Sequence, residues 1–137
     1  MNPVRPGSAE EFQLRLHCVR QTPDKGRGVF ALTDIPERSL ILESHAVILL
    51  AEDCKKLSET SIWIYRFALG QECAMVFGDI SFCNHSDSPN ASVVWQRLTP
   101  TTAVASLAAL TDIGAASEIV INYADIQEYV QRGIVFS

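Results

Sequence analysis

The sequence predicts a compact, mostly β, single domain with few short helices. The chain has 137 residues, the size of one ordinary domain, and 47% of them are apolar, enough for a real core. Short apolar runs recur at close spacing, with clusters of Gly, Pro, Asp and Ser between them, as expected for many short strands joined by turns. Neither an internal repeat nor a long linker divides the sequence.

Residues 1–13 begin with a Pro- and Gly-containing stretch and are expected to be flexible, leaving 14–137 as the domain. Residues 14–19 alternate in part and read as a strand. Residues 22–28, T-P-D-K-G-R-G, are a turn cluster, and 29–32 are a short apolar run. A second turn, D-I-P-E, precedes two expected strands at 40–43 and 46–50 that pair nearby. Residues 51–61 are polar enough for one or two helical turns. Residues 62–69, I-W-I-Y-R-F-A-L, read as strand or as buried helix, and periodicity does not choose between them. A short apolar piece at 74–77 closes on Gly78-Asp79, and 91–95 read as strand. Residues 102–110, T-A-V-A-S-L-A-A-L, have the alanine content of a helix, yet their flanking turns permit a strand. A Gly-containing turn at 111–117, a strand at 118–123 and a short helix at 125–131 complete the chain.

Composition excludes several classes. The net charge of −5 argues against a general nucleic-acid binder, which carries a basic patch, and is compatible with a basic partner such as a lysine-rich peptide. Cys18, Cys54, Cys73 and Cys83 form no C-x-C or C-x-x-C pair, so they read as reduced thiols and no zinc site is expected. No apolar stretch approaches the roughly 20 residues of a membrane helix. No secretory signal stands at the N-terminus, so a cytoplasmic, or nuclear, setting is expected.

Three segments carry chemistry. In Lys25-Gly26-Arg27-Gly28-Val29-Phe30-Ala31, two glycines let backbone approach a ligand closely. Alone this is more often just a turn, and it lacks the third glycine and the helix of a dinucleotide site. In Phe82-Cys83-Asn84-His85-Ser86-Asp87-Ser88-Pro89-Asn90, three hydrogen-bonding side chains adjoin a core segment. Burying such groups unpaired costs about 2–7 kcal/mol, so they need partners, and a pocket for a polar small molecule supplies them. In Glu118-Ile119-Val120-Ile121-Asn122-Tyr123, a strand ends in a tyrosine.

In this order the three segments resemble the SET-domain protein lysine methyltransferases, and most of all their minimal viral forms. F-C-N-H-S-x-x-P-N resembles the family's N-H-S-x-x-P-N signature. G-R-G-V-F-A resembles its N-terminal cofactor motif, and A-S-E-I-V-I-N-Y its G-E-E-L-T-x-x-Y segment. The resemblance runs from about residue 14 to Tyr129. It implies a SET fold of the β-clip type, with several short sheets, a C-terminal pseudoknot, and no zinc-binding segment before or after the domain. It implies S-adenosyl-L-methionine as cofactor and a lysine in a protein, histone or another basic protein, as substrate. Backbone of Lys25, Gly26, Arg27 and Gly28 would cradle the methionine part of the cofactor, and Asn84 and His85 would hold its two ends. Tyr123 would orient the methyl group and the amine. Tyr65 would line the lysine channel, with Tyr129 beside it, and Phe136 or Tyr129 would cover the adenine.

The departures from the family pattern also count. Asp87 stands where many members place a zinc-binding cysteine, so no metal is expected. Ala116-Ser117 replaces Gly-Glu, Val120 replaces Thr, and Ile121 replaces a further tyrosine, which leaves the number of methyl groups open. A domain this small is a candidate homodimer, with the partner completing the channel. Two other readings compete with this one. One keeps the fold as a catalytically weak interaction module, against which Asn84, His85 and Tyr123 are all present. The other makes Cys83 and His85 a thiol–imidazole pair with Asp79 or Asp87 as orienter.

Overall fold

The computed structural model of the chain describes residues 15–123. Among these residues, nine strands build two sheets. β1 (His17–Gln21) and β2 (Arg27–Ala31) form an antiparallel hairpin across the T-P-D-K-G turn. Thr22 closes that turn: its backbone N–H donates to the Gly26 carbonyl at 2.6 Å, and its hydroxyl accepts the Lys25 N–H at 2.8 Å. Gly26 sits at φ 73°, a left-handed conformation that glycine adopts without Cβ strain. The expected turn at 22–28 is therefore shorter, because β2 already starts at Arg27.

The expected pair of strands at 40–43 and 46–50 is one strand, β3 (Leu40–Leu49). The polar Glu43, Ser44 and His45 do not interrupt it, because each pairs in register with Ser106, Ala105 and Val104. Helix α1 (Ala51–Leu57) follows, with Glu52 and Asp53 in its first turn and Lys55 and Lys56 in its last, both favourable to the helix dipole. The ambiguous run 62–69 is neither one strand nor one helix. It divides into a 3-10 helix, Ser61–Tyr65, and β4 (Phe67–Leu69), which pairs with β5 (Glu72–Val76) around Gly70.

A second 3-10 turn, Asp79–Phe82, leads into β6 (Asn84–His85). β7 (Ala91–Thr99) runs four residues beyond the expected strand and pairs with β8 (Thr102–Ala109). The alanine-rich segment is thus a strand. Ala103, Ala105, Leu107 and Ala109 are buried while Val104, Ser106 and Ala108 are not fully buried. That period of two, between hydrogen-bonding neighbours on both sides, overrides the helix propensity of alanine. The last described strand is β9 (Glu118–Ile121). The helix expected at 125–131 and the flexible segment at 1–13 lie outside the described residues.

One sheet has the order β1-β2-β9-β6 and the other β4-β5-β3-β8-β7. Val29, Ile35, Ile80, Leu107, Ile113 and Ile119 fill the core around which both sheets pack. The D-I-P turn and the turn at 111–117 join through reciprocal backbone bonds of 2.8 Å between Ile35 and Ile113. β9 lies between β2, its antiparallel neighbour, and β6, its parallel one, so the end of the described chain is drawn against residues 84–90. Phe67 and Trp95, on the two outermost strands of the five-stranded sheet, meet edge-to-face at 5.4 Å. That sheet is therefore strongly curled, and its two free edges approach one another.

Candidate functional site

The parallel β6–β9 pair sets Asn84 opposite Val120 and His85 opposite Ile121. Two flanking residues fasten it. The Ser86 N–H donates to the Ile121 carbonyl at 2.8 Å. The Asn90 side chain bonds β9 twice, donating from Nδ2 to the Glu118 carbonyl and accepting at Oδ1 from the Val120 N–H, each at 2.9 Å. Asn90 of the signature thus serves as a staple that stands in for a strand neighbour.

His85 is buried, and each ring nitrogen has a partner. Nδ1 accepts the Tyr123 N–H at 2.9 Å, so the ring proton lies on Nε2, which faces Asp87 Oδ1 at 2.9 Å. His85 therefore fixes the backbone at Tyr123. The Tyr123 side chain is fixed independently, its hydroxyl donating to the Cys83 carbonyl at 2.7 Å. Its ring lies 5.2 Å from that of His85, centre to centre.

The first motif packs against the same place. Asn84 Nδ2 donates to the Arg27 carbonyl at 3.1 Å and to Glu118 Oε2 at 2.7 Å. Lys25 Nζ holds the other Glu118 oxygen at 2.9 Å. Gly28 is what permits this closeness: a Cβ there would lie 2.7 Å from Glu118 Oε2 and 2.9 Å from Asn84 Nδ2. Arg27 lays its guanidinium over the Phe82 ring at 4.4 Å. Lys25, Gly26, Arg27, Gly28, Asn84, His85 and Tyr123 thus come together from three separate stretches of sequence.

Tyr65 stands one step away. Its ring is edge-on to Phe82 at 5.9 Å, next to the Cys83 whose carbonyl holds Tyr123. A groove of about 330 Å³ opens beside Tyr123, and Arg66, Phe67, Pro89, Ser92 and Trp95 form its walls. The wall begins at Arg66 rather than at Tyr65. Tyr129 and Phe136 lie outside the described residues.

The thiol–imidazole reading fails. Burial, reinforced by the Glu118 and Asp79 carboxylates, pushes the Cys83 thiol up to about 12, the opposite of an activated nucleophile. The His85 nitrogens are meanwhile turned to Asp87 and Tyr123. Two functional groups escaped the sequence reading: the Glu118 carboxylate and the Cys83 carbonyl. The first carried no signal beyond its place in the third motif, and a backbone carbonyl carries none. Among the described residues, no three His, Cys, Asp or Glu side chains cluster as metal ligands, and no helix is long and apolar enough to cross a membrane.

This arrangement defines a class. The SET domain family matches residues 26–124, and the chain belongs to that family. Among solved structures, a Plasmodium falciparum protein assigned as a histone methyltransferase superposes with a TM-score of 0.66 at 23% identity, covering 82% of this chain and 96% of that one. The Neurospora SET domain protein DIM-5, a histone lysine methyltransferase, superposes with a TM-score of 0.61 at 20% identity over 78% of this chain. This chain spans 51% of the DIM-5 chain. At these identities the likeness is one of fold. None of the curated proteins matches the chain significantly.

Proposed function

We propose that the chain is a protein-lysine methyltransferase that uses S-adenosyl-L-methionine. The observation that carries this reading is the double anchoring of Tyr123, by His85 at its backbone and by the Cys83 carbonyl at its hydroxyl, beside an open groove. The residues also fit the cofactor. Gly28 lets the Glu118 carboxylate and the Asn84 amide pack directly against backbone, where any side chain would collide, and Asn84 thereby brings its amide to the Arg27 carbonyl. When bound, S-adenosyl-L-methionine would supply an electrophilic methyl group.

The chain's own residues then have three tasks. Lys25, Gly26, Arg27 and Gly28 offer close-approaching backbone, while Asn84 and His85 fix the floor of the cradle. The Tyr123 O–H donates its hydrogen bond to the Cys83 carbonyl, so toward a substrate its oxygen acts as an acceptor. An acceptor aimed at an amine N–H turns the nitrogen lone pair in a set direction, and orientation of this kind can supply much of a rate enhancement. The groove walls, Phe67 and Trp95 among them, supply apolar surface along the lysine stem. A free lysine amine titrates near ~10.4, and a poorly hydrated channel favours its neutral, nucleophilic form. A histone tail or another basic segment suits a chain of net charge −5.

Calorimetric titration with S-adenosylhomocysteine, followed by labelled-methyl transfer to a panel of basic proteins, tests the reading. Binding and transfer are expected. Tyr123→Phe is expected to lower turnover about a hundredfold, as loss of an orienting contact does, with product affinity unchanged. Absence of binding at ~1 mM ligand, an affinity of only about 4 kcal/mol, overturns it.

A further inference from the structure

We propose that Glu118 is a positioning residue: it fixes which end of the Asn84 carboxamide is presented to the cofactor and thereby selects for the cofactor's α-ammonium group. This inference rests on the S-adenosyl-L-methionine reading.

The Asn84 amide has two N–H protons and both are placed, one on Glu118 Oε2 at 2.7 Å and one on the Arg27 carbonyl at 3.1 Å. The acceptor Oδ1 is then what the side chain can offer a ligand. Turning the amide over would set Oδ1 against a carboxylate and a carbonyl, three acceptors together, so the flipped state is excluded. A carboxamide oxygen attracts an ammonium, whereas the flipped amide would attract a carboxylate. Glu118 is in turn held by Lys25 Nζ at 2.9 Å, with the two side chains only 17% and 20% exposed. The ion pair cancels the charge that Glu118 would otherwise bring to the cradle. Thr22, Asn84 and Glu118 all crowd the missing Cβ of Gly28, so the carboxylate has little room to move.

Lys25 makes the proposal sharply testable. In Glu118→Gln, the new carboxamide has one oxygen, and both Lys25 and Asn84 need an acceptor. The ammonium of Lys25 takes it, which leaves an NH₂ group facing Asn84 and destroys the preference for the unflipped amide. In Lys25→Met/Glu118→Gln the competitor is gone, and the oxygen can turn back to Asn84.

The experiment is calorimetry on the full chain with S-adenosylhomocysteine and with its deaminated analogue, which lacks only the α-ammonium. The wild type is expected to bind the analogue at least about tenfold more weakly, the scale of a hydrogen bond to a charged group. Glu118→Gln is expected to bring the ratio to about twofold, Lys25→Met to leave it as large or larger, because the Glu118 charge is then uncancelled, and the double variant to restore it. A purely structural role would weaken both ligands equally and leave the ratio unchanged in Glu118→Gln, which overturns the proposal. Loss of the ratio in Lys25→Met alone, where the Asn84–Glu118 bond survives, overturns it too, and keeps the test open if Glu118→Gln does not fold. A wild type that binds both ligands equally removes the positioning role and spares the cofactor reading; one that binds neither removes the cofactor reading itself.

Discussion

Ala116 adopts a φ of 70°, a left-handed conformation in which its Cβ is strained. This is the position where the family pattern places glycine. Its N–H donates to the Ala31 carbonyl at 2.8 Å, and the Ala31 N–H donates to the Ser117 carbonyl at 2.9 Å, so the turn is locked onto β2 despite the strain. Ala116→Gly is expected to raise stability by about 0.5–1 kcal/mol, the relieved strain exceeding the entropy of the freer unfolded chain. Urea unfolding measures it, and a loss of stability would show that the strain is relieved elsewhere. A second residue governs alkaline behaviour. Burial first, then the Glu118 and Asp79 charges, raise the Cys83 thiol from 9.0 to about 12. The folded state thus favours the neutral thiol: this contribution is fully present below pH 9.0, and it is lost as pH rises toward about 12. Cys83→Ala is expected to flatten the fall of stability in that window, even though the cavity it leaves lowers stability at neutral pH. Denaturant midpoints measured below and within the window check the slope.

The β6–β9 pairing is only two residues long, and Asn90 supplies the bonds that a longer strand would have made. Asn90→Ala leaves the Val120 N–H and the Glu118 carbonyl without that partner, an expected loss of about 2–3 kcal/mol. Asn90→Asp keeps the acceptor for Val120 but sets a carboxylate oxygen against the Glu118 carbonyl, so a loss at least as large is expected. A loss below about 1 kcal/mol in both variants, measured by urea unfolding, would place the stabilisation elsewhere. The pairing also marks what was legible in the sequence. Asn84, His85 and Tyr123 stand in contiguous motifs, so residues alone pointed to them. Glu118 did not stand out, because its partners lie 93 and 34 positions away and a strand carboxylate looks like surface. The same limit explains the elements. Residues 102–110 could not be settled by propensity, because two neighbouring strands decide the outcome. Residues 62–69 read as one apolar run, yet they pass from the 3-10 helix to β4 at Arg66, whose extended backbone ends the helix while its guanidinium stacks on Trp63 at 4.0 Å.

Under the proposed function, the two sheets divide the molecule into halves with different tasks. The β1-β2-β9-β6 sheet carries Lys25 to Gly28, Asn84 and Glu118, the groups assigned to the cofactor. The curled five-stranded sheet brings β7 against β4 through the Phe67–Trp95 contact and against β5 through the Arg97–Glu72 ion pair at 3.0 Å, and so walls the groove proposed for the substrate. Tyr123 stands where the halves meet, lining the groove while anchored to residues 83 and 85. If the halves are functionally separate, damage to the curled edge will leave cofactor binding intact. Trp95→Leu tests this, because leucine retains apolar volume on β7 but loses the ring that meets Phe67. The expected result is a several-fold rise in KM for the protein substrate, from the ~0.5–1.5 kcal/mol that an aromatic pair contributes. The Kd of S-adenosylhomocysteine is expected to stay unchanged. A parallel loss of product affinity would mean that the curl of the large sheet also sets the geometry of the Asn84–Glu118 cradle, and the molecule would then act as one unit rather than two halves joined at Tyr123.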